Sequence, residues 1–270
     1  MDDYLIANRK LWDIWTLEHE KSPFYDLQGF KQGKDRLRSI ELAELGDVAG
    51  KSLLHLQCHF GMDTLAWARR GAKVTGIDLS EKSIELARSL SHELNIPADF
   101  YCADIAQLPE CLTGEFDIVF TSYGVLHWLR DLNRWGNVIS HFLKPNGIFY
   151  IVEDHPTFRM FTTKEKIEIQ LANPYFFSDT PELVEMTGSY ATENQGETAS
   201  FYIWNHSLGE VINAIINAGL TLEFLHEFPY AARAKFPFME KGPDGWWYLP
   251  KQYVQIPFLF SLQARKLEPG

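Results

Sequence analysis

Apolar residues along this chain recur in two alternating rhythms. Short, nearly unbroken apolar runs stand at Ser52–Leu56, Ala72–Ile77, Asp99–Cys102, Phe116–Thr121 and Ile148–Val152. Between them lie stretches whose apolar positions repeat every three or four residues: Met62–Arg70, Glu81–Leu94 with Ile84, Ala87, Leu90 and Leu94 on one face, and a segment after Asp131 with Trp135, Val138, Ile139 and Phe142. The first rhythm predicts strands buried on both faces, the second amphipathic helices. Strict alternation of the two predicts a doubly wound parallel sheet with helices on both faces. Punctuation agrees: Ser80 stands where an N-cap is needed, and Gly71, Asn95-Ile96-Pro97 and Lys144-Pro145-Asn146-Gly147 are stop or turn signals.

The alternation breaks twice. Asp2–Glu20 reads as an amphipathic helix with Leu5, Trp12 and Trp15 near one face, followed by a loop carrying Tyr25 and Phe30 and a second helix at Leu37–Leu45. Two tryptophans on so short a helix serve either for packing on the domain surface or for a lid. After the fifth strand, residues 156–205 hold aromatics, prolines and the polar stretch GSYATENQGETAS, and read as an inserted cap over the carboxyl-end face. Order returns with Ser207-x-x-Glu210, a capping box opening a helix to Ala218 with Gly219 past its end. Thr221–Phe228, a Trp-rich loop at Gly242–Pro250 and Ile256–Arg265 then predict an antiparallel hairpin at the sheet edge. The expectation is one domain over 1–270, with residues 1–48 as a helical lid segment.

Bulk properties narrow the function. A net charge of -11 disfavours a general nucleic-acid binder. No apolar run approaches a membrane span, and MDDYLIANRK lacks a signal-peptide core, so a cytoplasmic protein is expected. Cys58, Cys102 and Cys111 show no CxxC spacing and read as three reduced thiols; no metal set is expected.

The chemistry concentrates in the first strand–helix–strand unit, SLLHLQCHFGMDTLAWARRGAKVTGIDLS, which ends in Asp78. In an open parallel sheet, such a unit places a ligand at the carboxyl ends of its strands. The loop can approach that ligand at Gly61, the helix N-terminus offers free N–H groups, and an acid after the second strand can accept two ribose hydroxyls. Asp78 is also positioned to start the following helix.

Five segments in order, LLHLQCHFG, VTGIDLS, CADI, FDIVFTSYGVLHWL and LKPNGIFYIVEDHP, with the late WNHSLGEVINAIINAGLTLEFLHEF, resemble the class I S-adenosylmethionine-dependent methyltransferases over residues 50–266. LHLQCHFGMDTLAWARRGA is similar to a largely uncharacterised bacterial subgroup. The resemblance implies a seven-stranded sheet of order 3-2-1-4-5-7-6, its last strand antiparallel. It also implies S-adenosylmethionine as cofactor, S-adenosylhomocysteine as product and a small-molecule acceptor rather than nucleic acid or membrane; it does not settle an oligomeric state. It implies that Asp78 holds the ribose hydroxyls, Asp104 and Ile105 the adenine edge and Leu79 its face. His55, Gln57, Cys58 and Gly61 line the methionine part, and Ser122 and Tyr123 lie near the amino-acid end and the reactive methyl. The common first loop reads acid-x-Gly-x-Gly-x-Gly; here His55, Gln57 and His59 replace the acid and two glycines, and Gly61 remains.

On the acceptor side, His127 and His155 each follow a strand end and are candidates for a general base or for an orienting hydrogen-bonder. Tyr25, Trp128, Trp204 and His206 are candidates for the same pocket, where aromatics exclude water, cage an amine or simply form the cap's core. Two other functions compete. A non-catalytic sensor of S-adenosylmethionine or its product would explain an irregular loop, whereas an NAD-type oxidoreductase would want G-x-G-x-x-G, which is lacking.

Overall fold

A computed structural model describes residues 2–164, 168–192 and 198–268. Seven strands form its central sheet: β1 (Ser52–Leu56), β2 (Lys73–Asp78), β3 (Asp99–Cys102), β4 (Phe116–Ser122), β5 (Leu143–Asp154), β6 (Leu220–Phe228) and β7 (Leu259–Lys266). Their order across the sheet is β3-β2-β1-β4-β5-β7-β6, as the resemblance implied. β1 to β5 run parallel, and β7 is antiparallel to both β5 and β6.

The unbroken apolar runs follow from burial on both faces. Side chains alternate across a strand, so Leu53, Ile118, Phe120, Tyr150 and Val152 enter one core while Leu54, Leu56, Val119, Phe149 and Ile151 enter the other. The first core is closed by α1 (Asp3–His19), α2 (Leu27–Lys31), α3 (Ser39–Leu45), α4 (Met62–Arg69) and α5 (Glu81–Leu94), with Phe30, Ile40, Leu65, Trp67, Ile84 and Leu90 directed inward from α2 to α5. α1 itself packs chiefly through Leu11 and Trp15 on Phe201 and Ile203. The second core is closed by α6 (Leu132–Phe142) and α7 (Leu208–Asn217) through Trp135, Val138, Ile139, Phe142, Val211 and Ile215. These two helices touch at Gly136, where a Cβ would lie 2.6 Å from the Ala214 carbonyl oxygen, so glycine is needed for their close approach. Asp117, the polar exception in FDIVFT, sits at the strand entrance and accepts from the Ser52 N–H and hydroxyl (2.8 and 2.7 Å) and from Lys144 (2.9 Å).

The expected helix starts are present. Ser80 accepts from the Ser83 N–H, Asp131 from the Arg134 N–H, and Ser207 and Glu210 form the reciprocal capping box. Two local expectations change. The loop after α1 contains α2, because Asp26 at φ 48° accepts from the Gly29 N–H and starts one more turn. The Trp-rich segment is not simply a loop: Tyr230–Ala231, Glu240–Lys241 and Trp247–Tyr248 form a three-stranded sheet.

The 156–205 insertion comprises a short helix, Pro156–Met160, a hairpin of Phe161–Lys164 with Glu168–Leu171, and a second hairpin of Glu182–Thr187 with Thr198–Ile203. Residues 193–197 of its polar stretch lie outside the described residues. Phe158 packs with Ala231, Phe236, Met239, Leu249 and Phe258, so the insertion and the 229–258 segment share one small core. α1 ties this cap to the sheet. Asn8 exchanges two hydrogen bonds with the Tyr202 backbone (2.7 and 2.8 Å), and the Trp15 indole N–H donates to the Gly188 carbonyl (2.9 Å). On its other side, Asp13 accepts from the Ser80 hydroxyl (2.6 Å) and the Lys82 N–H (3.1 Å) at the start of α5.

Candidate active site

A cavity of about 420 Å³ opens at the carboxyl ends of β1, β2, β4 and β5, roofed by α1 and the second hairpin. Its size falls within the range of small-molecule sites. The wall beside β1 is the loop Gln57–Gly61. Gln57, His59 and Gly61 have φ of 57°, 52° and 77°, so all three adopt the left-handed backbone. Gln57 and His59 thus occupy a backbone region that favours glycine, at roughly 1–2 kcal/mol each in intrinsic strain. Hydrogen bonds hold the path. The Cys58 N–H donates to the Ile77 carbonyl (2.8 Å), the His59 N–H to Asp78 Oδ2 (2.7 Å), and Gln57 Nε2 to the Val125 carbonyl (3.0 Å). The His59 ring adds a contact to α1: its Nε2 lies 3.3 Å from His19 Nδ1, and it packs on Trp12 and Phe60. At Gly61 a Cβ would meet the Phe100 ring at 2.7 Å, so glycine is retained there on both conformational and steric grounds.

Two polar atoms of residues in this wall are buried without partners. His55 Nδ1 pairs with Thr64 Oγ1 (2.8 Å), but His55 Nε2 and Gln57 Oε1 have no hydrogen-bond partner among the described residues. Burial lowers the His55 pKa to about 3, so its ring is neutral. A buried polar atom without a partner is costly unless a ligand or water satisfies it.

At the end of β2, Asp78 accepts from the Ser80 N–H (2.9 Å) as well as from His59, leaving lone pairs on both oxygens. Burial, followed by the charge of Asp13, raises its pKa to about 6 against the pull of those two bonds. Leu79, Ala103, Asp104 and Ile105 continue this wall. Asp104 also accepts from the Ala106 N–H (3.0 Å), capping a turn of 3-10 helix, and so keeps part of its acceptor capacity.

Of the residues singled out from the sequence, Tyr25, His55, Gln57, Cys58, Gly61, Asp78, Leu79, Asp104, Ile105, Ser122, Tyr123, His127 and Trp128 line this one cavity. His155, Trp204 and His206 do not; they border a small neighbouring cavity of about 30 Å³. The pleat explains His155. Side chains alternate along β5, so Asp154 faces the large cavity while Glu153 and His155 face the opposite way. His155 Nδ1 caps the Pro156–Met160 helix through Thr157, and its Nε2 lies 2.9 Å from Glu227. His206 Nε2 donates to the Leu129 carbonyl (2.7 Å) and its ring stacks on Phe177, while the Trp204 backbone N–H donates to the His127 carbonyl (2.9 Å). The placement of these three corrects the expectation that they share the pocket.

His127 is placed differently. Neither ring nitrogen has a hydrogen-bond partner among the described residues, and the ring borders the cavity beside Trp128. Burial first, then Arg159 and Arg233, hold its pKa well below the usual histidine range, so the imidazole is neutral. Trp12 and Trp128 cross at 5.2 Å and Trp15 stands edge-on to Tyr190 at 5.6 Å, which makes this half of the cavity largely aromatic.

Several residues not anticipated from the sequence shape the site. Glu153, 2% exposed, accepts from the N–H groups of Gly124 (2.5 Å), Val125 (2.8 Å) and Asp154 (2.6 Å), and fixes the loop after β4. Buried Glu41 accepts from the Tyr123 hydroxyl (2.8 Å). Arg36 Nε lies 3.3 Å from Asp63, at the start of α4. An acid at a strand end or in a helix's first turn is ordinary in sequence, so only their burial distinguishes them.

A model of the methyltransferase domain family matches residues 54–151, from within β1 to within β5. Residues 54–151 thus match a methyltransferase domain. The chain is 31% identical over 133 residues to the ubiquinone biosynthesis O-methyltransferase of Chromobacterium violaceum, a match covering 49% of this chain and 54% of that protein. The chain thus spans about half the length of the curated relatives it matches. Among solved structures, an S-adenosylmethionine-dependent methyltransferase from Mesorhizobium loti superimposes with a TM-score of 0.55 at 23% identity, over 83% of this chain and 94% of that one. A magnesium protoporphyrin IX methyltransferase from Synechocystis, with bound S-adenosylhomocysteine, does so with 0.53 at 14% identity, over 98% and 100%. At these identities the likeness is one of fold.

Proposed function

We propose that this protein transfers a methyl group from S-adenosylmethionine to an oxygen or nitrogen of a small organic acceptor, by in-line displacement. The observation that carries this reading is the large cavity at the strand ends, with Asp78 and Asp104 on the β1–β3 side and His127, Trp128 and Asp154 on the β4–β5 side. S-adenosylmethionine supplies an already activated methyl group, so the protein's work is alignment and exclusion of water.

In this reading Asp78 accepts from the ribose hydroxyls, Asp104 from the adenine amino group, and Leu79 and Ile105 cover the base. The loop Gln57–Gly61 follows the methionine part, and the buried, unpartnered His55 Nε2 and Gln57 Oε1 belong to residues lining that end of the cavity. The Arg36–Asp63 pair beside Ser122 and Tyr123 offers complementary charges to a zwitterion. Residues 1–270 act as one unit, with α1 and the 156–205 cap closing over the reactants. The three unpaired cysteines suit a reducing, cytoplasmic location. Because Gln57 and His59 keep the glycine-like backbone, the irregular loop gives little support to the sensor alternative.

His127, neutral and facing the aromatic half, is the residue to take or orient an acceptor proton. His127→Ala should lower turnover by ~10²-fold or more while changing cofactor affinity less than threefold, whereas His155→Ala should leave turnover within about threefold. Steady-state rates with the best acceptor from a metabolite panel, measured across pH, test this. Full activity of His127→Ala at every pH would remove the base, and no methyl transfer to any acceptor would favour the sensor.

A further inference from the structure

Three cations from separate parts of the chain meet in the wall of the cavity: Arg159, in the Pro156–Met160 helix, and Arg233 and Lys235, in the segment after β6. Two have acid partners. Arg159 Nη2 lies 3.5 Å from Glu182 Oε2, and Arg233 Nη2 lies 3.1 Å from Asp154 Oδ2. Lys235 has none. Among the described residues its ammonium has no ion-pair partner or hydrogen-bond acceptor, and it stands over the Phe158 ring at 5.0 Å. The Arg233 guanidinium lies over the same ring at 4.6 Å. The cluster therefore carries three positive charges against two negative, in a partly buried apolar setting. Burial draws the Lys235 pKa down to about 8, with Arg233 and Arg159 contributing next, so the three cations share one field.

A partly buried ammonium without an ion-pair partner of its own is unfavourable, and its natural complement is an anion brought by a ligand. Position indicates which ligand. Asp154 ends β5 and Asp78 ends β2, three strands apart in the sheet, or about 14 Å. The cluster is thus remote from the adenosine side and lies next to His127, whose pKa the same two arginines depress. We propose that Lys235, Arg233 and Arg159 form a subsite for an anionic group, carboxylate or phosphate, on the methyl acceptor. The acceptor's apolar body lies along Phe158 and Trp128, and its nucleophile reaches His127. This inference rests on the methyltransferase reading and adds the charge class of the substrate.

Calorimetric titration of the free and the S-adenosylhomocysteine-loaded protein with sodium benzoate, inorganic phosphate and neutral benzamide tests it. Benzoate or phosphate should bind both forms, and benzamide at least tenfold more weakly. Lys235→Met should weaken anion binding tenfold or more, and Lys235→Arg should restore it to within about threefold, with S-adenosylhomocysteine affinity unchanged in both variants. Tighter phosphate than benzoate assigns a phosphate ester, and the reverse assigns a carboxylic acid. Equal binding of benzamide, an unaffected Lys235→Met variant, or mutual exclusion of anion and S-adenosylhomocysteine would overturn the subsite. Failure of S-adenosylhomocysteine to bind at all would instead count against the methyltransferase reading.

Discussion

Replacing Asp78 with alanine should weaken S-adenosylmethionine binding by ~1–3 kcal/mol, about 5- to 150-fold, because the ribose hydroxyls would lose a charged acceptor in a buried site. The wild-type affinity should also depend on pH in a defined direction. Burial, then Asp13, raises the Asp78 pKa to about 6. Only the ionised carboxylate offers acceptors to both hydroxyls, so affinity should be level above pH 6 and fall roughly tenfold per unit below it. Stability of the free protein should respond to the same group with the opposite sign. The folded state keeps a proton that the unfolded chain releases near its ordinary pKa of 3.8, so between about pH 4 and 6 the Asp78 contribution to stability decreases as pH rises. Calorimetry of Asp78→Ala and Asp78→Asn from pH 5 to 8 checks both statements. A wild-type affinity that stays flat through pH 6, or an Asp78→Ala variant that binds normally, would remove Asp78 from the ribose.

The second large effect is expected at Glu153. Its carboxylate gathers the N–H groups of Gly124, Val125 and Asp154 while buried to 2% exposure. Glu153→Ala would leave those donors without an acceptor, at ~1–3 kcal/mol for each that water cannot reach. A net loss of about 3 kcal/mol corresponds to a fall of roughly 6–12 °C in melting temperature for a chain of this size. The loop it holds carries Tyr123 on one side and leads to His127 on the other, so turnover should fall as well. Glu153→Gln retains one acceptor and should recover part of both losses. Thermal unfolding by circular dichroism, with rates measured well below the transition, separates the stability effect from the kinetic one. A melting temperature within about 1 °C of wild type would show that Glu153 does not fix the loop.

The sheet was legible because its information is local. Each parallel strand is buried on both faces and therefore apolar throughout, and each helix announces its start with a residue such as Ser80 or Ser207. The cavity lining was legible at strand ends, as at Asp78 and Asp104. It was less so where one step along a strand decides the outcome. His155 is adjacent to Asp154, yet the pleat turns Asp154 into the cavity and His155 toward Glu227. The cation cluster was invisible for another reason. Arg159, Arg233 and Lys235 are spread over more than seventy residues, and each alone reads as an ordinary solvated charge; only the folding of two insertions onto one cavity brings them together. The loop Gln57–Gly61 shows the converse. Its residues depart from the common glycines, while its backbone at φ 57°, 52° and 77° stays in the left-handed region that glycine favours.

The proposed function places S-adenosylmethionine in the cavity at the carboxyl ends of β1, β2, β4 and β5. Isothermal titration of the full chain at pH 7.5 with S-adenosylmethionine, S-adenosylhomocysteine and NAD addresses it most directly. One site per chain is expected for each of the first two ligands, with no detectable heat of binding for NAD. Binding of NAD, with neither sulfur ligand bound at high micromolar concentration, would contradict it.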